Sequence, residues 1–564
     1  MGWILDALLA KRGLTGSLLE EYFDPSLRRL ARFDRLPGIV EAADAVLPFV
    51  RDHRTIVVFG DYDCDGVCAT AILAKTLMRL GANVRVFFPN RFGEGYGLTA
   101  ASIGRMLEEI PDVSLLITVD CGVTSVDEVR SLKERGISVI VTDHHLPPEI
   151  LPECDALVDM KVCMDCAEVD ELGARDICGA GVAFFLANAL VSRAAELGIY
   201  SGEKFGAPLL VLAGLATVVD IVPLRGQNRI LAANALRLFR SAPIGLRELF
   251  SRSQRRTAPI TSHDFGFQLG PRINAAGRMA TAIDACRLLM EDDREEARRL
   301  AQQVDAHNVE RKTTENKMLA AVAEQLPKGD LPAVVVGCGN GDSIPGWHTG
   351  VAGNVASRIV ERYGVPAAVV VGGVGSARAP DGYNVHKALS DCARFLVRFG
   401  GHVAAGGFTV KVGVFDEFKE AFAAACAVQG ESLGTAAPKR SELREPDLWV
   451  SPTDLTLDLY DEVQSMAPFG VGNPCPEFGL RGIFVSEVKL MGENGKHASL
   501  QFADRRIPRA VWWGHGESAE ALRNKASERF DITFTLDVSV WNGEEPHLEL
   551  CITSLAPSAL PHQA

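Results

Sequence analysis

The chain has 564 residues, 47% of them hydrophobic and 23% charged. That composition excludes bulk disorder and collagen-like repeats, and at about 150 residues per domain the length implies roughly three or four domains. Lys and Arg total 58 against 72 Asp and Glu, a net charge of −14. The balance argues against coating nucleic acid by bulk charge, but it leaves room for a local basic groove and for metal-binding carboxylates.

The start, MGWILDALLAKRG, lacks a basic region followed by an apolar core and a cleavage site, so no signal peptide is expected. Without export, the thirteen cysteines read as reduced thiols of a cytoplasmic protein. Residues 1–44 read as a helical lead-in, with Trp3, Leu5, Leu8 and Leu9 near helical spacing and Pro25 and Pro37 as punctuation. From about 45 to 225, strands and helices alternate. Strands are predicted at 55–59, 84–88, Leu115–Val119 and 139–142, and helices at 69–80 and 126–135. This alternation favours a parallel sheet covered on both faces. The longest apolar run, Ala207–Val219, is too short to span a bilayer, and no membrane contact is expected.

Residues 283–326 read as one long helical stretch with a charged middle: Asp292, Asp293, Arg294, Glu295, Glu296, Arg298 and Arg299. A helix this polar is expected to bridge two domains. A second αβ unit starts at 331–337 and runs to about 430. Residues 436–446 read as a linker, and the remainder, with strands such as 532–540 and 547–552, fits a small β-barrel. The expected domains are therefore 1–44, 45–265, 266–330, 331–430 and 440–560.

Four acidic motifs follow apolar runs. GDYDCDG carries Asp61, Asp63 and Asp65; in an extended segment alternate residues point the same way, so three carboxylates would crowd together. A divalent cation would relieve their repulsion. ITVDCG carries Asp120, VIVTDHH carries Asp143, His144 and His145, and TVVDIVPL carries Asp220. Any one alone reads as a cap. Four together at the carboxyl edge of one sheet read as a metal centre, because ligands bind in the crevice beyond the strand ends. Carboxylates with imidazole suit Mn2+ or Mg2+ better than structural zinc, and their number suggests two ions acting on a phosphate ester.

DYDCDG, VDCG, TDHH and VVDIVP resemble the signature motifs of the DHH phosphoesterases. GPRINAAGRM (270–279), GWHTGVAGNVASRIVERYGVPAAVV (346–370), GSAR (375–378), GGHVAAGGF (400–408) and MAPFGVGNPCPEF (466–478) resemble the RecJ branch of single-strand DNA exonucleases, in that family's order. The resemblance implies an α/β fold: a parallel-sheet DHH catalytic domain, a long helix, a DHH-associated α/β domain and an OB-like barrel. It implies a 5′-to-3′ exonuclease of DNA repair and recombination. Asp63 would hold the first metal with Asp61 beside it. Asp120 would bridge both ions, and Asp65, His144 and Asp220 would hold the second. Asp143 would orient or help ligate, and His145 would face the scissile phosphate. Arg272, Asn274, Arg278, Ser376, Arg378, Gly401, His402 and Asn473 would face the strand or its 5′ end. Two departures, Ala379 where the family often has Ser and Gly346 where it commonly has an acid, would loosen the end-phosphate preference. The expected partner is single-stranded DNA, with a helicase and a single-strand-binding protein possible, and the chain is expected to be a monomer.

Two alternatives stand beside this. One is a nanoRNase or cyclic-dinucleotide phosphodiesterase, whose chains are usually shorter and lack the barrel. The other is a non-catalytic replication scaffold, whose relatives have lost metal ligands that this chain keeps. Phe502, Trp512, Trp513 and Trp541 read as core aromatics, with base stacking as the alternative. The Cys163/Cys166 pair, near Cys154 and Cys178, permits zinc by spacing, but no second close pair exists.

Overall fold

The computed structural model describes all residues except 1, 92, 96, 164, 203–205, 254–258, 327–330, 340–343, 434–442, 524, 540–544 and 559–564. Trp541 and most of the expected linker therefore lie outside the described residues. The chain forms two compact units. One comprises residues 1–29, 223–225 and 439–564; the other comprises 30–222 and 226–438.

The larger unit begins with a five-stranded parallel sheet: β1 Ile56–Gly60, β2 Val84–Phe87, β3 Leu115–Val119, β4 Ser138–Thr142 and β5 Ala156–Val158, in the order β2-β1-β3-β4-β5. β1 and β3 are buried along their whole length, as strands covered on both faces must be. Register fixes the next step. Gly60 pairs with Val119 and Val119 with Thr142, so Asp61, Asp120 and Asp143 leave three adjacent strands at one level.

The second half of this unit is a mixed sheet of β6 Val334–Gly337, β7 Ala367–Val371, β8 Val374–Arg378, β9 Leu396–Gly401 and β10 Ala405–Val410, ordered β6-β7-β8-β10-β9. The expected single helix before it is two. Ala282–Met290 ends, and the 32-residue helix Arg294–Gln325 restarts after a break at 291–293. Carboxylates cause the break: Glu291 accepts from the Asp292 and Asp293 N–H groups, and Asp293 caps the new helix by accepting from Glu296 N–H. No described helix is long and apolar enough to cross a membrane.

The smaller unit holds a seven-stranded sheet of β11 Leu448–Trp449, β12 Phe478–Ile483, β13 Val485–Met491, β14 His497–Phe502, β15 Ala510–Trp512, β16 Phe530–Ser539 and β17 His547–Pro557. The expected lead-in of 1–44 is divided between the units. Ile4, Leu5, Leu8, Leu9 and Tyr22 share a core with Phe478, Phe530 and Phe534, whereas Ile39, Val46, Leu47 and Val50 of the helix Ile39–Arg51 pack on the parallel sheet. The apolar stripe of the first helix has its complement some 450 residues later, which local periodicity cannot show.

Asn473 corrects a third expectation. It does not face a strand of DNA; it is 2% exposed and all its polar atoms are engaged within this unit. Nδ2 donates to the Met466 and Pro468 carbonyls at 2.9 and 2.8 Å, and Oδ1 accepts from Arg12 at 2.6 Å and Tyr22 at 2.9 Å. Of the aromatics, Phe502 and Trp512 are core, while Trp513 is 57% exposed.

Because residues 1–29 belong to the smaller unit, removing that unit after residue 438 strands an apolar surface. A chain spanning 1–438 is expected to bind a hydrophobic dye and aggregate more readily than one spanning 30–438. Equal dye binding and equal thermal midpoints for the two would contradict the shared core.

Candidate metal centre

Each acidic motif arrives by its own local structure. Asp63 caps the helix Cys64–Arg79, its Oδ1 accepting from Asp65 N–H at 2.9 Å and Gly66 N–H at 3.2 Å. Asp65 therefore sits in the first helical turn, not in the extended segment expected. Its carboxylate accepts from Gly179 and Ala180 N–H, both at 2.7 Å, at the start of the helix Gly179–Glu196. Two backbone donors at a helix N-terminus hold an anion well. Asp120 turns off β3 at φ +62°, a strained conformation for a non-glycine residue. Only glycine fits opposite it: a Cβ on Gly179 would lie 2.6 Å from the Asp120 carboxylate.

Asp220 does not end a strand. The run Ala207–Val219 is a helix, and Asp220 is its C-cap residue. The run is apolar on every side because core surrounds it, so its pattern does not separate helix from strand. Asp143 is saturated: Oδ2 accepts from Val123 N–H at 2.9 Å, and Oδ1 takes the His144 N–H at 2.7 Å and the His145 Nδ1 at 2.7 Å. These bonds suit a group that orients its neighbours.

The side chains converge. Ligand atoms of Asp61, Asp63 and Asp120 lie within 4.8 Å of one another, as do those of Asp65, His144 and Asp220, and those of Asp120, His144 and His145. His144 Nε2 lies 3.0 Å from Asp120 and 3.7 Å from both Asp65 and Asp220. Crowding in a buried place shifts the acids upward. Burial first, then the Asp63 charge, pushes Asp61 well above the usual carboxylate range; burial and then Asp65, Asp63, Asp61 and Asp220 do the same to Asp120. Asp220 is pushed up to about 9 by burial and then by Asp65 and Asp63. Burial lowers His144 to about 4. Burial opposes the charge on His145, but its bond to Asp143 prevails and raises it to about 9.

The donor set fits a divalent cation. Asp61 Oδ1 and the ring nitrogens of His144 are buried without a hydrogen bond; a bound ion resolves this for Asp61 Oδ1 and for the one imidazole nitrogen that ligates it. Carboxylate oxygens with one or two imidazoles match Mn2+ or Mg2+ rather than thiolate-bound zinc. Cys163 and Cys166 are free thiols, and no group of three metal-ligating side chains among the described residues includes a cysteine.

The remaining expected residues of this unit lie on the helix Gly270–Met279 and on or beside the second sheet. Arg278 and Arg378 are half-buried; Arg278 bonds Asn354 at 2.8 Å across the two halves of the larger unit. Burial, then the charges of Arg91, Arg311 and Arg378, lowers Arg278 to about 10. Such a crowd of cations favours an incoming anion. Ser376 and Arg378 lie on β8. Gly401 ends β9 and His402 follows it, with β10 between the two strands: Ala405 pairs with Arg378 and Gly406 with Gly401. Two expectations are corrected. Arg272 does not face the strand: it is buried, paired to Asp305 at 2.9 Å and bonded to the Gln268 carbonyl at 2.7 Å. Asn274 accepts from Cys64 N–H at 2.7 Å and so props the acidic loop. Both lie in the helix Gly270–Met279. Sequence reasoning missed Arg91, which lies 4.9 Å over the Tyr62 ring. It also missed Asp159, buried and raised to about 6 by burial, and Asn354. Arg91 lies outside every motif singled out above; Asn354 lies inside the family-like segment 346–370, and Asp159 follows β5 as Asp61 follows β1, so those two patterns could have found them.

Protonation sets an expectation. A carboxyl whose folded pKa is raised destabilises the fold progressively as pH climbs from its ordinary value, about 4, toward its folded value, here near 9 for Asp220. A cation competes with those protons. The Mn2+-dependent gain in thermal midpoint, measured against chelator, should therefore grow from about pH 6 to about pH 8. A gain unchanged across that window would contradict the buried-acid cluster.

Comparison with known proteins agrees with this arrangement. The DHH family, N-terminal domain, matches residues 55–213; the DHHA1 domain matches 330–427; the RecJ OB domain matches 446–552. The chain is 34% identical over 506 residues to the single-stranded-DNA-specific exonuclease RecJ of Dickeya dadantii, covering 87% of this chain and 85% of that one. It is 33% identical over 523 residues to the Bacillus subtilis protein of the same name, covering 90% of this chain but 62% of the relative's length. A crystal structure of Thermus thermophilus RecJ in complex with Mn2+ superposes with a TM-score of 0.80 at 31% identity, covering 99% of this chain and 76% of that one. With this similarity along nearly its whole length, the chain belongs to the RecJ family of single-stranded-DNA-specific exonucleases.

Proposed function

We propose that this chain hydrolyses single-stranded DNA from the 5′ end, releasing mononucleotides, with two divalent cations, Mn2+ or Mg2+, as cofactors. The observation that carries the reading is the sharing of residues between the ligand groups. Asp120 belongs to the group with Asp61 and Asp63 and also to a group with His144, which in turn joins Asp65 and Asp220. A carboxylate common to two neighbouring sets is what a bridged pair of ions requires.

In this reading Asp61 and Asp63 would hold one ion, Asp65, His144 and Asp220 the other, and Asp120 would serve both. When bound, the ions supply Lewis-acid charge to the phosphate and make water a stronger acid. Asp143 fixes the His145 ring through Nδ1 at 2.7 Å and keeps it cationic. His145 then presents positive charge toward the phosphate that is cut. Arg278, Arg378 and Ser376, with Gly401 at the end of β9 and His402 after it, bind the terminal phosphate and backbone. The match of residues 446–552 to an OB domain supports strand binding by the smaller unit, where Trp513 offers an exposed ring. A helicase acting beforehand would supply the unpaired end, a single-strand-binding protein would keep it open, and the cytoplasm would be the setting; a monomer suffices for this chemistry.

End-labelled single strands incubated with Mn2+, Mg2+ or chelator test the reading. Mononucleotides should appear from the 5′ end with either metal, duplex should persist, and chelator should stop the reaction. Cleavage restricted to dinucleotides, or none, would overturn it. Asp120→Asn should reduce cleavage by roughly a hundred- to a thousandfold if its charge is shared by both ions, since such stabilisation accounts for roughly 3–4 kcal/mol. Arg278→Ala and Arg378→Ala should each weaken binding and lower the salt slope by about 0.7, the single-strand value per phosphate contact. Unchanged slopes would remove both residues from the phosphate site.

A further inference from the structure

His144 is an imidazole without the usual support. A metal-binding histidine normally donates its second ring N–H to a carboxylate or carbonyl, which fixes the ring. Here His144 Nε2 faces the carboxylates, 3.0 Å from Asp120, and the second nitrogen, Nδ1, is buried with no hydrogen-bond partner in the protein. The aim of the ring must then come from its backbone. On one side the His144 N–H donates to Asp143 Oδ1 at 2.7 Å. On the other, the His144 carbonyl accepts from Lys161 Nζ at 2.6 Å. β4 ends at Thr142, so this carbonyl lies past the strand ladder and is held by a side chain instead.

Lys161 is itself placed deliberately. Asp159, directly after β5, accepts the Lys161 N–H through Oδ1 at 2.8 Å, and its carbonyl accepts Val162 N–H at 3.2 Å. The resulting turn sends the lysine back across the end of β4. Asp159 is 3% exposed, and its other oxygen has no hydrogen-bond partner. A buried carboxylate is costly, and one serving only a surface turn would not need to be there.

We propose that Lys161, set by Asp159, is a positioning residue for the metal centre: its ammonium holds the His144 carbonyl and thereby aims the imidazole at the ion shared with Asp65 and Asp220. The proposal rests on the metal reading given above. It has a sign that electrostatics alone does not share. The Lys161 charge acts on Asp220 and on His144, so it also repels a cation bound between them. If charge were its whole effect, removing it would tighten metal binding. If positioning dominates, removing it loosens metal binding.

The test is Mn2+ binding by calorimetry to the full chain after chelation, which needs no catalysis. Lys161→Met keeps the stem and removes the donor. It should weaken Mn2+ binding roughly 10-fold, the low end of the effect of supporting residues on metal affinity. Lys161→Arg, which keeps a cationic donor, should recover most of the loss. Cleavage by Lys161→Met should show a lower kcat with KM for the strand little changed. In a His144→Ala background the Lys161→Met change should have no further effect on Mn2+ affinity, because the ring it aims is gone. Circular dichroism in chelator confirms that each variant is folded; if Lys161→Met is not, the comparison of Lys161→Gln with Lys161→Arg decides on the same criterion. Binding by the donor-less variant as tight as the parent's, or tighter, overturns the proposal and leaves the metal reading intact. Absence of Mn2+ binding by the parent overturns both.

Discussion

Mutual repulsion among buried carboxylates is the constraint around which the larger unit is organised. Asp61, Asp65 and Asp120 are almost inaccessible to water, and Asp63 and Asp220 join them. Without a cation such a group keeps protons, as the raised Asp61, Asp120 and Asp220 do. The fold nevertheless holds its members together: it spends backbone donors on Asp65, a strained turn on Asp120 and a glycine on the space opposite it. Structure of this kind persists when the stored strain serves a bound group. The acids thus point to divalent cations more forcefully than any single motif does.

The imidazoles complete that logic. Two adjacent histidines have opposite environments, His144 held neutral by burial and His145 held cationic by Asp143. A neutral imidazole can ligate; a cationic one can meet a phosphate. Asp143 separates the two roles by bonding the His144 backbone and the His145 ring from one oxygen.

Much of this was legible in the sequence where local pattern and tertiary position coincide. β3 is read without error, and Asp61, Asp120 and Asp143 are found because each directly follows an apolar strand. Asp220 is found for a partly wrong reason, since its apolar run is a buried helix rather than a strand. Asp65 is likewise correct as an acid and wrong as extended chain. The failures are long-range. Arg272 and Asn473 sit in motifs that resemble strand-facing ones, yet Asp305, Arg12 and Tyr22 take up their hydrogen bonds. Those partners are 33, 461 and 451 residues away, beyond any window of local reasoning. The break at 291–293 was readable in principle, because Asp293 followed by Glu296 has capping spacing, but the charge run masked it.

The central claim is that two ions share Asp120, and anomalous diffraction from crystals soaked in Mn2+ tests it most directly. Two peaks are expected: one among Asp61, Asp63 and Asp120, the other among Asp65, His144, Asp220 and Asp120, each with carboxylate oxygens at about 2.1–2.3 Å, near the range for hard divalent cations. A single peak, or peaks that leave Asp120 without a metal contact, would contradict the account.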